Sequence, residues 1–146
     1  VLLAELESRL VNTEAARRYY EHALRRDSKF SPAHLAFVLF LVRAQEYEKA
    51  LGHLRAAAEL DPSNSRNVYV FAIATNSLGR SEEALKILDD AWQQFPADYD
   101  IGFALATILR DNGAREKAIT TATELKSRFP DDRNVDALLQ ALADSQ

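Results

Sequence analysis

The residue types that could carry out chemistry are few in this sequence, and their spacing matches no common reactive motif. The histidines His22, His34 and His53 form neither an HExxH motif nor another i,i+4 pair with a second ligand. Cysteine is absent, which excludes disulfides and thiolate metal sites. The sequence offers no strand–turn–helix pattern that would activate a serine. We therefore predict no metal site, no cofactor and no enzymatic activity in this chain.

The carboxylates are the most regularly placed polar residues. One set recurs at a constant interval, at Glu14, Glu48, Glu82 and Glu116. Side chains so far apart do not form an acid–base pair, whereas a carboxylate in the first turn of a helix gains about 0.3–1 kcal/mol from the macrodipole. The column therefore predicts four helix starts. The adjacent pairs Asp89-Asp90 and Asp131-Asp132 are predicted to be solvated charge on a helix and in a turn.

The segment from Ser31 to Asn64 shows which elements hold these residues in place. Ser31 and Pro32 predict the N-cap and first residue of a helix that ends near Arg43. A second helix carries one apolar face and stops at Asp61-Pro62, because proline cannot continue a helix. The apolar face of that second helix consists of Ala50, Leu51, Leu54, Ala57 and Ala58.

The same helix pair recurs along the chain. Three further sets of residues share its spacing: Ala16, Ala50, Ala84 and Ala118; Ala23, Ala57 and Ala91, with Leu125 in the last copy; and Pro62, Pro96 and Pro130. The small alanines allow the two helices of a pair to approach closely. A helix–turn–helix period of about 34 residues is that of the tetratricopeptide repeat, and the chain resembles that family over nearly its whole length.

The resemblance implies an all-α fold, a right-handed α-solenoid of antiparallel helix pairs. We expect four repeats, at 1–30 (a truncated first copy), 31–64, 65–98 and 99–132, followed by a capping helix at 133–146. In the first copy, Leu2, Leu3, Leu6 and Leu10 are predicted to form one helix, and Thr13 to cap a second. The capping helix carries a one-sided apolar stripe at Val135, Leu138, Leu139 and Leu142.

Composition limits the classes of partner. The net charge is −4, with acidic and basic residues interspersed, which disfavours nucleic acid and anionic membranes as the main partner. The longest apolar run, Ala36 to Val42, is far shorter than the roughly 20 residues of a membrane-spanning helix. The chain begins with Val1, and we expect a fragment or a processed form, so the cellular compartment stays open between cytoplasm and periplasm.

The resemblance also implies where a partner would bind. In tetratricopeptide arrays the first helices line a concave groove that commonly holds a peptide or a helix of another protein. The positions expected to face that groove include Leu35, Leu39, Val42, Arg43, Tyr69, Ile73, Asn76, Phe103, Thr107 and Arg110. Relatives that grip the C-terminal carboxylate of heat-shock chaperones use lysine, arginine and asparagine there. The mostly apolar residues in this chain instead favour an apolar or amphipathic partner segment.

Other interpretations remain open. The groove residues could belong to the core or be covered by further parts of a longer parent protein, because a helix that is apolar all round is usually buried. The chain could also be a structural segment that self-associates into a homo-oligomer or docks on another domain of its parent. A regulatory appendage of an enzyme elsewhere in the parent is a third hypothesis.

Overall fold

The chain folds entirely into helices in the part that the structure describes. The computed structural model describes residues 2–27 and 31–145, and the side chains of residues 2, 5–9, 31 and 32 lie outside that description. No strand occurs in the described ranges, and the expected all-α class is confirmed. The helices are α1 (Leu2–Arg26), α2 (Ser31–Arg43), α3 (Tyr47–Leu60), α4 (Ser65–Ser77), α5 (Ser81–Gln94), α6 (Tyr99–Asp111), α7 (Arg115–Arg128) and α8 (Arg133–Asp144).

The helices group into two compact units, Val1–Pro62 and Ser63–Gln146. In the first unit, α2 and α3 form a helix pair, and α1 packs against α2. The ring of Tyr20 on α1 stacks on Phe37 of α2, with 5.3 Å between centroids and 21° between planes. Leu41 and Ala57 are fully buried, which places the core of this unit between its helices.

In the second unit, α4 pairs with α5 and α6 with α7, while α6 also contacts α4 and α8. Its core includes the fully buried side chains Leu88, Ile101, Leu125, Val135 and Leu142. The predicted capping helix corresponds to α8, which buries Val135, Leu138 and Leu142. Asp98 and Asp132 begin α6 and α8 by accepting backbone N–H bonds from Ile101 and Val135 at 3.2 and 3.0 Å. The predicted cap at Ser31 lies outside the described side chains.

The turns between paired helices share one backbone device. Gln45, Gly79 and Gly113, which recur at the same spacing as the alanine columns, have φ of 61°, 81° and 78°. Each is followed by a residue whose N–H donates back to a carbonyl five residues earlier: Glu46 to Leu41, Arg80 to Thr75 and Ala114 to Leu109. This is the hydrogen-bond pattern of a Schellman motif, which ends a helix where the backbone enters the left-handed region.

The first repeat differs from this pattern, and the prediction of two helices there is wrong. Thr13 and Glu14 lie inside the continuous helix α1, which runs for 25 residues. Val11 holds the place that Gln45 and the two glycines hold later. A β-branched residue strongly resists positive φ, so the helix continues where the other copies turn. Glu48, Glu82 and Glu116, in contrast, do occupy the first turns of α3, α5 and α7.

Trp92 and Gly102 pack against each other in the second unit. A Cβ added to Gly102 would lie 2.6 Å from Cζ3 and 2.8 Å from Cη2 of Trp92, and 2.8 Å from Cδ1 of Leu125. The indole is held in place because its Nε1–H donates to Glu124 Oε2 at 2.8 Å. Glycine is therefore required at this position by the ring that fills the space.

Within the described ranges, no helix combines the length and apolar character that crossing a membrane would need.

Candidate functional site

Six of the predicted groove residues lie on the two first helices of the second unit. We call this set the α4–α6 face: Tyr69, Ile73, Asn76, Phe103, Thr107 and Arg110. Spacings of three, four and seven residues keep the members on one side of each helix, and the two helices pack together. Arg110 is exposed and the other five are half-buried. Tyr69, Ile73 and Phe103 also pack against the core, so the face is anchored and still open to solvent.

The aromatic residues of the α4–α6 face have ordered neighbours. The guanidinium carbon of Arg66 lies 5.3 Å from the centroid of the Tyr69 ring, within cation–π range. The Phe103 ring stacks on Tyr99 at 5.6 Å with 15° between planes. Tyr99 in turn donates to Asp132 Oδ1 at 3.1 Å, and burial, more than this bond, raises the pKa of its phenol. These contacts restrict the orientations of the two rings.

The polar members of the face are satisfied mostly within their own helix. The Thr107 hydroxyl shares its hydrogen between the carbonyls of Phe103 and Ala104, at 2.9 and 3.0 Å. Its methyl group is then the part it can offer to a partner. Arg110 pairs with Asp111, Nε to Oδ1 at 3.1 Å, in an exposed ion pair. The face is thus an apolar strip that ends in two polar side chains, Asn76 and the cation Arg110.

The remaining four predicted residues lie on α2 in the first unit. Leu35 is half-buried, Leu39 and Val42 are 64 % and 43 % exposed, and Arg43 is exposed. We call this set the α2 face. Each of the ten predicted residues therefore keeps part of its surface open to solvent, and none belongs to the fully buried core. An exposed leucine beside an exposed valine on one helix is the kind of apolar surface that partners cover.

A histidine pair in the first unit escaped the sequence analysis. His34 Nδ1 and His53 Nδ1 are 2.8 Å apart, which requires one ring to donate and the other to accept. His34 is buried, and the His53 ring also contacts Phe37 at 4.8 Å. Burial lowers the pKa of His53, and the nearby His34 adds to that effect. The two residues are nineteen positions apart on different helices, so no local motif signals the pair.

An ion pair joins α1 to the start of α3. Arg17 Nη1 donates to Glu46 Oε2 at 3.0 Å, and its second Nη donates to the other carboxylate oxygen. Lys49 adds a contact at 3.2 Å. The Arg17 hydrogen bond, followed by that of Lys49, lowers the pKa of Glu46 to about 2. The ion pair therefore positions α1 against the start of α3.

The structure offers no metal-binding cluster in its described portion. No group of three or more histidine, aspartate or glutamate side chains there has the arrangement to hold an ion. The acidic pairs are solvated in part: Asp89, Asp90 and Asp131 are exposed, whereas Asp132 caps α8.

Comparison with known proteins assigns the family. A model of the tetratricopeptide repeat matches residues 1–128. The chain belongs to the tetratricopeptide repeat family. Its fold is accordingly the solenoid of helix pairs with a terminal capping helix, an architecture that serves as a scaffold for contacts between proteins.

Individual relatives are distant in sequence. Superkiller protein 3 of Schizosaccharomyces pombe is 27 % identical over 124 residues, which are 85 % of this chain and 8 % of that protein. The chain thus spans less than a tenth of the length of this relative. Among solved structures, YrrB, a tetratricopeptide repeat protein with an unusual peptide-binding site, superposes with a TM-score of 0.70 at 20 % identity, covering 95 % of this chain and 72 % of its own.

Further similarity is to MamA. One crystal structure of MamA gives a TM-score of 0.73 at 17 % identity, covering 93 % of this chain and 80 % of its own. MamA from Desulfovibrio magneticus RS-1 gives 0.69 at 17 % identity, covering 97 % and 81 %. At these identities the likeness establishes the fold.

Proposed function

We propose that this chain is a non-enzymatic binding module whose first helices receive an apolar or amphipathic peptide or helix of another protein. The observation that carries the proposal is the α4–α6 face. On this face two aromatic side chains and an isoleucine are half-buried on adjacent helices, and the two rings contact Arg66 and Tyr99. Repeat folds of this kind use such helices to bind partners.

The chemistry of that face supports an apolar rather than an acidic partner. Aromatic anchors that are rigid and partly exposed are the residue type that dominates binding energy in protein interfaces. Arg110 at the end of the strip can pair with an acidic group on the partner, and this pair adds orientation more than affinity. The relative YrrB has a peptide-binding site on the same fold, which supports a peptide as the class of partner for this chain.

The proposal is tested with selected peptides. Peptides that bind the wild-type chain are selected from a displayed library of amphipathic sequences, and their affinity is measured by fluorescence anisotropy. The double variant Tyr69→Ala/Phe103→Ala should weaken binding by about tenfold or more, because loss of an aromatic anchor typically costs about 2 kcal/mol or above. The matched control Tyr47→Ala/Leu60→Ala truncates two exposed apolar residues of α3 and should bind as the wild type does.

A second variant separates binding from folding. Because Tyr69 and Phe103 also pack against the core, their truncation costs stability, and both variants are first checked by circular dichroism. Thr107→Arg adds bulk to the same face and removes no ring, and it should also block the peptides. Undiminished affinity in folded Tyr69→Ala/Phe103→Ala and in Thr107→Arg would contradict the proposal.

Self-association is a second candidate role, and one observation favours it. Leu3, Leu10 and Val11 on α1 are 75 %, 65 % and 67 % exposed, a large apolar surface on one helix. Docking on another part of a longer parent chain is the related alternative. The considerably greater length of the yeast relative is consistent with it.

A further inference from the structure

One carboxylate joins the start of α8 to the start of α6. Asp132 Oδ1 accepts the backbone N–H of Val135 at 3.0 Å, the bond that begins α8. The same oxygen accepts the O–H of Tyr99, the first residue of α6, at 3.1 Å. A carboxylate oxygen can accept two hydrogen bonds at once, so neither bond displaces the other. Asn134 of α8 also lies within hydrogen-bond reach of the Tyr99 hydroxyl, which is therefore held by the start of α8.

The preceding repeat has the same helix cap without a tyrosine. Asp98 matches Asp132 and begins α6 by accepting the backbone N–H of Ile101 at 3.2 Å. The position there that matches Tyr99 holds Ser65, which has no ring and a much shorter side chain. Capping therefore does not require a tyrosine, and the effect of Tyr99 has to be sought in what its ring contacts.

The Tyr99 ring connects this hydrogen bond to the α4–α6 face. It stacks on Phe103 at 5.6 Å between centroids with 15° between planes. The Phe129 ring meets it edge to face at 5.2 Å with 90° between planes, an arrangement that aromatic pairs favour. Tyr99 is thus held at its hydroxyl by α8 and at its ring by two aromatic neighbours. Because Tyr99 and Phe103 are four residues apart on one helix, a shift of the Tyr99 ring changes the surface against which Phe103 packs.

The helix that supplies Asp132 is itself packed along its length. Its inner side buries Val135, Leu138 and Leu142, and the first and last of these are fully buried. Arg115 Nε of α7 donates to the carbonyl oxygen of Leu142 at 2.8 Å, which ties down the last turn of α8. Asp132 therefore belongs to a docked helix, and the position of its carboxylate follows the docking of α8.

We propose that Asp132 and Tyr99 are positioning residues, through which the docked helix α8 holds the Phe103 ring in the orientation that receives a partner. This role rests on the proposed function of the α4–α6 face, and it adds the capping helix to the residues that control binding there. A ring that is already held as it is in the complex loses less rotamer freedom on binding. When only a fraction of the molecules has the competent rotamer, the apparent dissociation constant rises in inverse proportion to that fraction.

The orientation of Phe103 in the free protein tests the positioning role. Three-bond couplings measured by NMR give the populations of its χ1 rotamers. One rotamer should dominate in the wild type, whereas Tyr99→Phe, which removes only the hydroxyl, should give a mixture. Asp132→Asn keeps both an acceptor and a good helix cap, and it should keep the wild-type rotamer. The matched control Tyr47→Phe removes an exposed hydroxyl from α3 and should keep it as well. A mixture in the wild type overturns the proposal, as does an unchanged single rotamer in Tyr99→Phe.

Peptide affinity tests the consequence of this orientation. For the peptides selected on the wild-type chain, Tyr99→Phe should weaken binding about two- to tenfold, the effect of roughly one hydrogen bond. The same change in a Phe103→Ala background should have no further effect, because no ring remains to be positioned. A general loss of stability would weaken binding alike in both backgrounds, so equal weakening overturns the proposal.

The two measurements can fail independently. The rotamer populations are measured on the free protein, so they decide how Phe103 is positioned whether or not the selected peptides bind to the α4–α6 face. If Phe103→Ala binds those peptides as the wild type does, the proposed function of the face is contradicted. If Phe103→Ala weakens binding while the rotamer is unchanged in Tyr99→Phe, only the positioning role of Asp132 and Tyr99 is contradicted.

Discussion

Replacement of Gly102 by alanine should destabilise the second unit, although glycine is normally a poor residue inside a helix. In an unobstructed helix the change would gain up to about 1 kcal/mol of helix propensity. Here the new methyl would lie 2.6 Å from the Trp92 ring and 2.8 Å from Leu125, distances at which atoms must move. The ring cannot move freely, because Glu124 accepts its N–H and the Arg128 guanidinium lies 5.6 Å from its centroid.

The magnitude follows from the two opposing effects. Forcing an extra carbon into a packed core typically costs about 1–3 kcal/mol, and two blocked directions place this site in the upper part of that range. After the gain in propensity is subtracted, Gly102→Ala should lower the free energy of unfolding by about 1–2 kcal/mol. Gly52 offers the matched control, since it is helical and has nothing within 4 Å of the place that an added methyl would occupy. Gly52→Ala should raise stability by about 0.5–1 kcal/mol.

Urea unfolding provides the measurement. Far-ultraviolet circular dichroism follows the whole chain, and the single tryptophan, Trp92, reports on the second unit by fluorescence. The smaller ring in Trp92→Phe removes the obstruction, so Gly102→Ala should cost markedly less in that background, a positive coupling in a double-mutant cycle followed by circular dichroism. If Gly102→Ala stabilised the chain as Gly52→Ala does, the packing argument would be refuted.

Three further predictions concern other parts of the structure. Ala84→Leu should lower stability by about 1–3 kcal/mol, because Ala84 is fully buried where two helices meet, and an unchanged melting temperature would count against this packing. The lowered pKa of His53 means that the folded state binds its proton less readily than the unfolded chain. Stability should therefore be complete above about pH 6.5 and fall as the pH drops below it, and the fall should be smaller in His53→Gln; an equal fall in that variant would show that His53 is not its cause. Charged groups lining the same cavity as His53 are Arg17, Glu21, Arg25 and Lys49. The carboxyl carbon of Glu46 should titrate in NMR with a pKa of about 2, so its ion pair with Arg17 should persist below pH 4.5 and be lost as the pH falls towards 2. In Arg17→Gln the pKa of Glu46 should rise towards 4.5. A pKa unaffected by this change would show that Arg17 is not the cause.

The repeat pattern was sufficient to predict the fold because several independent sets of residues mark the same helix boundaries. Alanine, glutamate and proline columns each mark the same helix starts, contacts and stops, so helix pairs such as α4–α5 follow from several signals at once. The turn column was not redundant. The turn position, held by Val11, Gln45, Gly79 and Gly113, requires a backbone with positive φ. Gln45 adopts it although it is not glycine, whereas Val11 does not. This single position decides whether the first repeat has one helix or two.

The pairings that cross between helices could not be predicted in the same way. The contact of His34 with His53 and that of Trp92 with Gly102 depend on side-chain rotamers and on how each helix is rotated about its axis. The residue types alone do not indicate which residue each will contact. The predicted groove residues were named from the family pattern and the apolar columns. Which of them carry binding energy depends on a partner, and the variants proposed above measure it.

The fit of Trp92 against Gly102 has a consequence for the order of the modules. The positions that match Gly102 in the two preceding repeats hold His34 and Val68, side chains too large to lie under an indole in that orientation. The third repeat therefore accepts the fourth as its successor and would reject a copy of the second or of itself. If these repeats were exchanged, the Trp92 ring would collide with a larger side chain in the following repeat. The single contact between Trp92 and Gly102 therefore fixes which repeat can follow the third.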